Sequence, residues 1–504
     1  MTDFRIAIVG TGFSGLGMAV RLKREGIDDF VVLERNLGVG GTWWDNTYPG
    51  CQCDVPSHLY SFSFAPNPDW SRTYSLQPEI RDYLRDCAER FGITPHIRFG
   101  CEVGSASWDE ERGLWRLETS DGELTAQVLV AGVGPLSEPA IPDIPGLDRF
   151  TGSIFHSARW DHDHDLAGER VAVVGTGASA IQFVPRIQPE VERLHVFQRT
   201  PPWILPHTDR PVSRLERRLY RRFPALQRLV RAGIYLGREW LVLAFTGRRE
   251  LMKLPERLAR RHLRRQVRDP ELRSRLTPSY TIGCKRILLS NDWYPALTAA
   301  NVDLITEGIR EVRKRSLVNG SGDEIEIDTI VLGTGFRVTD FPAADRIHGR
   351  GGRSLSEVWR GSPQAYLGTS IAGFPNLFML LGPNTGLGHN SMVFMIESQI
   401  AHVIRCLRAI DERGAQAIEV REQAQADFNH ELQRELAGSV WNAGGCKSWY
   451  IDRTGRNTTI WPRFTWQFRR SARSFEPSAY RFLSRSRPAG DEGAELLAAR
   501  HDAL

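Results

Sequence analysis

Two residues of opposite charge, each 24 positions beyond a glycine, carry the first chemistry this chain offers: Glu34 after Gly10, and Arg199 after Gly175. Both glycines open a turn with dinucleotide-binding spacing. The first reads Gly10-Thr-Gly12-Phe13-Ser14-Gly15 and the second Gly175-Thr-Gly177-Ala178-Ser179-Ala180. In such a turn the first glycine permits the bend and the second lets the backbone approach a pyrophosphate. The third packs helix against strand, and alanine is tolerated there. The following helix offers unpaired N–H groups and the positive end of its dipole to the phosphates. The residue closing the next strand meets the adenosine ribose. A carboxylate accepts hydrogen bonds from a 2′-OH and repels a 2′-phosphate, whereas a guanidinium does the reverse. Glu34 therefore suits FAD or NAD, and Arg199 suits NADPH.

These turns need a strand before them and a helix behind, and the sequence supplies both twice. Arg5–Val9 leads into Gly10, a helical stretch runs to Arg24, and Phe30–Glu34 follows. Arg170–Val174 leads into Gly175, with a short helix and then Leu194–Arg199. Strands alternating with helices predict an α/β fold with two Rossmann-type dinucleotide-binding domains. The expected FAD domain begins at 1–150, and the Pro- and Gly-rich connector Gly134–Gly146 is its exit. Residues 151–325 form the expected NADP domain, with a basic helical insert at about 209–275. Residues 326–485 return to the FAD domain and cover flavin and substrate, opening with a strand Glu326–Leu332. Residues 486–504 read as a polar tail. The insert has apolar residues at helical spacing, namely Leu226, Val230, Gly233, Leu236, Trp240 and Leu243. The favoured reading is a solvated face over a small helical core; a cover over the substrate, or a contact with acidic lipid, is the alternative.

Composition is that of an ordinary globular protein, with 41% hydrophobic and 25% charged residues in 504. A net charge of +5 is too small at this size to imply nucleic acid. The most apolar segment, Leu229–Phe245, is broken by Arg231, Arg238 and Glu239, so no transmembrane segment is expected. Phe4–Val9 is a strand rather than part of a signal peptide. Seven scattered cysteines show no disulfide framework and fit a reducing, cytoplasmic setting.

Two dinucleotide sites in one chain imply a flavoenzyme whose FAD takes hydride from NADPH. A disulfide reductase would need a redox pair such as Cys-x-x-Cys beside the flavin, and Cys51-Gln-Cys53 is too tight. Two such ligands make no metal site either, and His162 and His164 read as a polar surface turn; no metal is expected.

Longer motifs then give the chain a resemblance. Phe150-Thr-Gly152-Ser-Ile-Phe-His156-Ser-Ala-Arg-Trp160-Asp161 and Gly40-Gly41-Thr-Trp43 with Tyr48-Pro49-Gly50 and Asp54 resemble the two signatures of the Baeyer–Villiger monooxygenases, a group of class B flavin monooxygenases. The likeness continues through Gly283-Cys-Lys-Arg286, Gly382-Pro-Asn-Thr-Gly386 and Ser448-Trp449-Tyr450. It covers nearly the whole chain except its polar tail. Sister enzymes that oxidise sulfur or nitrogen carry a shortened first motif without the Trp-Asp ending.

The resemblance implies a cycle in which NADPH reduces FAD and O2 then gives a C4a-peroxyflavin. This species attacks a ketone, and the adduct rearranges to an ester or lactone. A fixed cation must stabilise the anions, and Arg286 is the matching residue, with Asp54 as the carboxylate that orients it. Lys285 and Thr200 resemble residues that join Arg199 around the 2′-phosphate. Thr42, Trp43, Trp44 and Asp45 match a loop along the flavin, although the family often has an aromatic where Asp45 stands. Tyr60 and Met392 map onto flavin contacts, Val103 onto the cofactor site, and Trp449 onto a residue near bound NADP. Gly152, His156 and Trp160 belong to the connector motif. His156 is expected to tune domain movement, and Trp160 is equally readable as core packing. The alternatives are sulfur or nitrogen oxidation on the same fold, and an NADPH oxidase or redox-sensing protein. The implied partners are a small ketone-type substrate and O2; the ketone class stays open, as does a homo-oligomer.

Overall fold

The structure is a computed structural model and describes residues 2–247 and 249–484; the tail expected at 486–504 lies outside the described residues. Phe4–Val9 pairs in parallel with Phe30–Glu34 on one side and Gly122–Ala131 on the other. Phe30–Glu34 is buried along its whole length, the pattern of a parallel strand covered on both faces. Ile97–Phe99 extends that edge. Beyond Gly122–Ala131, Leu114–Thr119 and Val103–Asp109 add an antiparallel meander. Leu377–Met379 also pairs with Gly122–Ala131, so the chain returns late to complete the first sheet.

A second sheet holds five strands, all parallel, in the order Val302–Ile305, Arg193–Phe197, Arg170–Val174, Thr329–Leu332 and Ser153–His156. Its composition corrects the expected boundary at 325/326. The run read as one strand, Glu326–Leu332, is divided. Glu324–Glu326 edges a small antiparallel sheet, whereas Thr329–Leu332 is an inner strand of the second sheet, buried at all four positions. The second domain therefore extends through Leu332. The strand Arg193–Phe197 likewise ends before Arg199, which lies two residues beyond it.

The insert comprises the helices Arg214–Arg222, Pro224–Glu239, Leu241–Thr246, Lys253–Gln266 and Pro270–Arg275. Ser213 and Glu216 form a reciprocal cap at its start. A buried cluster does form under the insert, from Ala244, Phe245, Met252 and Ala259 with Trp203, Tyr280 and Trp441, but the apolar stripe read from helical spacing does not build it. Leu226, Leu236 and Trp240 are 37%, 57% and 66% exposed. Polar residues of the same helix find their partners on the protein side instead. The long helix Met392–Glu412 packs on Phe13–Arg24 and on Thr465–Arg473, closing the first domain.

Candidate active site

A cavity of about 640 Å³ runs from the turn at Gly10 to Arg286 and Trp449. Gly10, Gly12, Phe13, Ser14, Glu34, Thr42, Trp43, Asp45, Tyr60, Val103, Arg286, Met392 and Trp449 all line it. Gly15 does not, and its role is packing: a Cβ there would stand 1.9 Å from the Gly10 carbonyl oxygen. The helix Phe13–Arg24 has neither a side-chain cap nor an acid in its first turn, which leaves its N–H groups free for a phosphate. Glu34 accepts from Thr11 N at 2.8 Å, Thr11 Oγ1 at 2.6 Å and Asn36 N at 2.8 Å. Its carboxylate thus braces the glycine turn, while the lone pairs left over suit ribose hydroxyls. Trp43 donates from Nε1 to Tyr60 Oη at 3.1 Å, and Phe13 packs edge-on to Tyr60. These features fit a flavin dinucleotide.

At the far wall, Arg286 grips Asp54 with two parallel bonds, Nε to Oδ2 at 2.5 Å and Nη2 to Oδ1 at 2.6 Å. Burial pushes the Asp54 carboxyl up, but the charge and hydrogen bonds of Arg286, with Arg238 adding, hold it below its ordinary value. Attraction to Asp54 outweighs burial in raising Arg286, so the guanidinium stays charged. One third of the Arg286 side chain, 33%, remains accessible. Tyr450, which belongs to the Ser448-Trp449-Tyr450 motif but has no role assigned from sequence, is buried against this pair and lines the same cavity.

The second turn, Gly175 to Ser179, precedes a helix headed by buried Ala180. Arg199 is exposed, with Thr200 half-buried beside it. Lys285 stands near Arg199: burial and then repulsion by Arg199 lower its ammonium pKa. Neither cation has a carboxylate partner among the described residues. Two unpaired cations beside a glycine turn form a place for a doubly charged phosphate.

The two signatures occupy seams. Tyr48 donates to Gln182 Oε1 at 3.0 Å, and Gln52 exchanges hydrogen bonds with the same side chain. Gly50, at φ +78°, lies so close to the second domain that a Cβ would come within 2.9 Å of the Gln182 carbonyl oxygen. Gln182 was another residue the sequence did not flag. In the connector, Gly152 precedes the strand Ser153–His156. His156 accepts from Ala158 N at 3.0 Å, and burial pushes its imidazole down to about 4. Trp160 packs on Phe155 and Phe183. Arg159 reaches across to Asp45 at 3.6 Å, tying the connector to the flavin-side loop. His162 bonds Thr47, and His164 bonds Glu169 and Thr329.

One finding departs from the cysteine reading. Cys284 and Cys446, 162 residues apart, form a disulfide. It joins the residue before Lys285–Arg286 to the segment carrying Trp449 and Tyr450. Such a separation leaves no spacing signature, which is why composition gave no warning. Cys51 and Cys53 are both buried free thiols.

Comparison with known proteins agrees with this geometry. The family model described as pyridine nucleotide-disulphide oxidoreductase matches residues 7–234. A Baeyer-Villiger monooxygenase of Pseudomonas aeruginosa is 55% identical over 478 residues, covering 94% of this chain and 91% of the relative. One from Streptomyces coelicolor is 54% identical over 480 residues, covering 95% and 92%. Among solved structures, an oxidized steroid monooxygenase bound to NADP matches with TM-score 0.84 and 33% identity, covering 96% of this chain and 100% of that one. A closed cyclohexanone monooxygenase gives TM-score 0.86 and 28% identity, with coverage of 96% and 100%. With more than half its residues identical across nearly their full length, the chain belongs to the Baeyer–Villiger monooxygenase family.

Proposed function

We propose that this chain uses NADPH and O2 to convert a small ketone to an ester or lactone, with Arg286 as the fixed cation of the reaction. Bound FAD supplies the hydride acceptor and the centre at which O2 is activated. The protein supplies the rest. Arg286 offers a permanent charge where negative oxygen develops, and Asp54 holds its planar fork in one orientation. Arg199, Lys285 and Thr200 select NADPH by its 2′-phosphate. Gly10 to Ser14 seat the flavin pyrophosphate, while Trp43, Tyr60 and Met392 pack the flavin end. His156, neutral above about pH 4, acts in the connector and moves no proton of the reaction.

The observation that carries this reading is the double hydrogen bond from Arg286 to Asp54 at the cavity wall, beside Tyr450 and Trp449. The test is product balance. Purified holoenzyme is given NADPH, O2 and a panel of cyclic, linear and aryl ketones. One ester or lactone per NADPH consumed supports the proposal. Hydrogen peroxide in place of ester with every ketone, or oxidation of thioethers alone, overturns it.

A further inference from the structure

We infer that the insert is a docking surface for anionic phospholipid, seated through the outer face of the helix Pro224–Glu239. Of its five charged and amide side chains, Gln227, Arg231, Arg238 and Glu239 point into the protein and are satisfied there, while Arg228 is exposed. Gln227 donates to the Asn67 carbonyl at 2.6 Å, and Arg231 to the His58 carbonyl at 2.7 Å. Arg238 donates to the His389 carbonyl at 2.9 Å, while Glu239 accepts from Asn390 and from Thr465, each at 2.6 Å. Gln227 and Glu239 are only 4% and 3% exposed.

Ile234 and Tyr235 pack against the core, but a second set of apolar residues takes the outer side. Leu229, Leu236 and Trp240 are 68%, 57% and 66% exposed, at the three- and four-residue spacing of one helical stripe with Ala232 and Gly233 between. A helix on a water-facing surface normally shows the reverse. Nor is the stripe isolated. Of the fifteen exposed large hydrophobic side chains among the described residues, ten lie between Leu215 and Leu258. A concentration of that kind marks an interaction surface.

Charge decides the partner. The helices Arg214–Arg222, Pro224–Glu239 and Lys253–Gln266 hold fourteen Lys and Arg against three Glu, a net +11, whereas the whole chain carries +5, leaving −6 elsewhere. A second copy of the chain would bring +11 against +11. Nucleic acid would meet the arginines but offer nothing to the leucines. An acidic lipid surface satisfies both, because apolar side chains enter the acyl boundary while arginines remain at the headgroups. Each basic residue near such a leaflet strengthens binding about fivefold. No helix among the described residues is long and apolar enough to cross a membrane, so the contact is peripheral.

The test uses the full-length holoenzyme and vesicle flotation. Vesicles are phosphatidylcholine alone or an equimolar mixture with phosphatidylglycerol. The protein is expected to float with the mixed vesicles, to stay behind with phosphatidylcholine alone, and to be released as salt rises. The variant Leu229→Gln/Leu236→Gln/Trp240→Gln touches no cofactor residue. It should bind about tenfold or more weakly, from lost apolar burial, while keeping its NADPH turnover. Absence of flotation with the anionic vesicles overturns the inference, as does equal binding by the variant. So does a dimer, seen by light scattering without lipid, that the triple substitution dissolves; the stripe would then belong to a second copy.

Discussion

Replacing Arg286 with alanine tests the chemical core of the proposal. Its Nε and Nη2 are committed to Asp54 at 2.5 and 2.6 Å, while Nη1 makes no hydrogen bond within the described residues. The group is therefore held by one edge, with charge to spare for the reacting oxygen. Removing a preorganised donor of this kind costs about 2.7–4 kcal/mol of barrier, or roughly 10² to 10³ in kcat. Ester formation should fall by that factor. Anaerobic reduction of the flavin by NADPH should persist, because the proposed grip on the nucleotide, Arg199 and Lys285, does not involve Arg286. The signature is thus NADPH consumed with peroxide released and little ester. Arg286→Lys should recover only part of the loss, since an ammonium cannot make the two-pronged bond. Asp54→Asn should impair the same step, by less than the ~3–5 kcal/mol of a fully buried pair, because 28% of the Asp54 side chain is accessible. Wild-type ester yield in Arg286→Ala would refute the reasoning. So would equal loss of flavin reduction and oxygenation in a variant that still binds NADPH.

Arg199→Ala should lower the NADPH-over-NADH preference in kcat/KM by roughly tenfold to a hundredfold, the ~1.5–3 kcal/mol of a charged hydrogen bond; an unchanged ratio would remove Arg199 from the 2′-phosphate site. Gly50→Ala forces a side chain into a left-handed backbone against the Gln182 carbonyl and should cost about 1–3 kcal/mol, read as a lower melting temperature and a looser contact between the domains. Cys446→Ser, or a reductant, should lower stability by about 2–4 kcal/mol, visible in denaturant melts of the wild type with and without reductant. The buried imidazoles of His58, His156 and His402 are each pushed by burial from 6.5 to about 4. The folded state then binds fewer protons than the unfolded one, so their stabilisation is complete above pH 6.5 and lost as pH falls toward 4. Melting temperature measured across that window should drop on the acid side.

Much of this molecule was readable because local rules and the global fold agree. Phe4–Val9, the turn at Gly10 and the helix to Arg24 lie where apolar runs and glycine spacing put them, since a buried parallel strand and a pyrophosphate turn tolerate few other patterns. The failures share a cause in long-range contacts. Thr329–Leu332 looks like the start of a new domain along the chain, and only pairing with Arg170–Val174 reveals it as part of the second sheet. Gln182 carries no motif, yet it receives three residues' worth of contacts from Tyr48, Gly50 and Gln52. In the insert, periodicity located the apolar stripe of Pro224–Glu239 but could not say which side faces the protein. Hydrophobic residues usually face inward. Here the buried partners at His58, His389 and Asn390 are polar, and they turn the helix around.

The same contacts explain why Arg286 needs a whole protein to position it. Asp54 reaches it from the Gly40–Asp54 signature of the first domain. The disulfide fastens Cys284, two positions before Arg286, to the C-terminal segment that brings Tyr450 to the cavity. Arg238, from the insert, adds a second positive charge near Asp54, so the carboxylate serves two cations. The partners Asp54, Cys446 and Arg238 come from three different parts of the chain, all outside the short motif that contains Cys284 and Arg286. A guanidinium placed by one loop alone would sample several rotamers and lose entropy each time it met a substrate. The bond to Asp54 and the disulfide at Cys284 remove that freedom during folding, before substrate arrives. Loosening either of them should therefore raise peroxide release relative to ester before it changes NADPH affinity, and the peroxide-to-ester ratio of Cys446→Ser is the direct measure of that ordering.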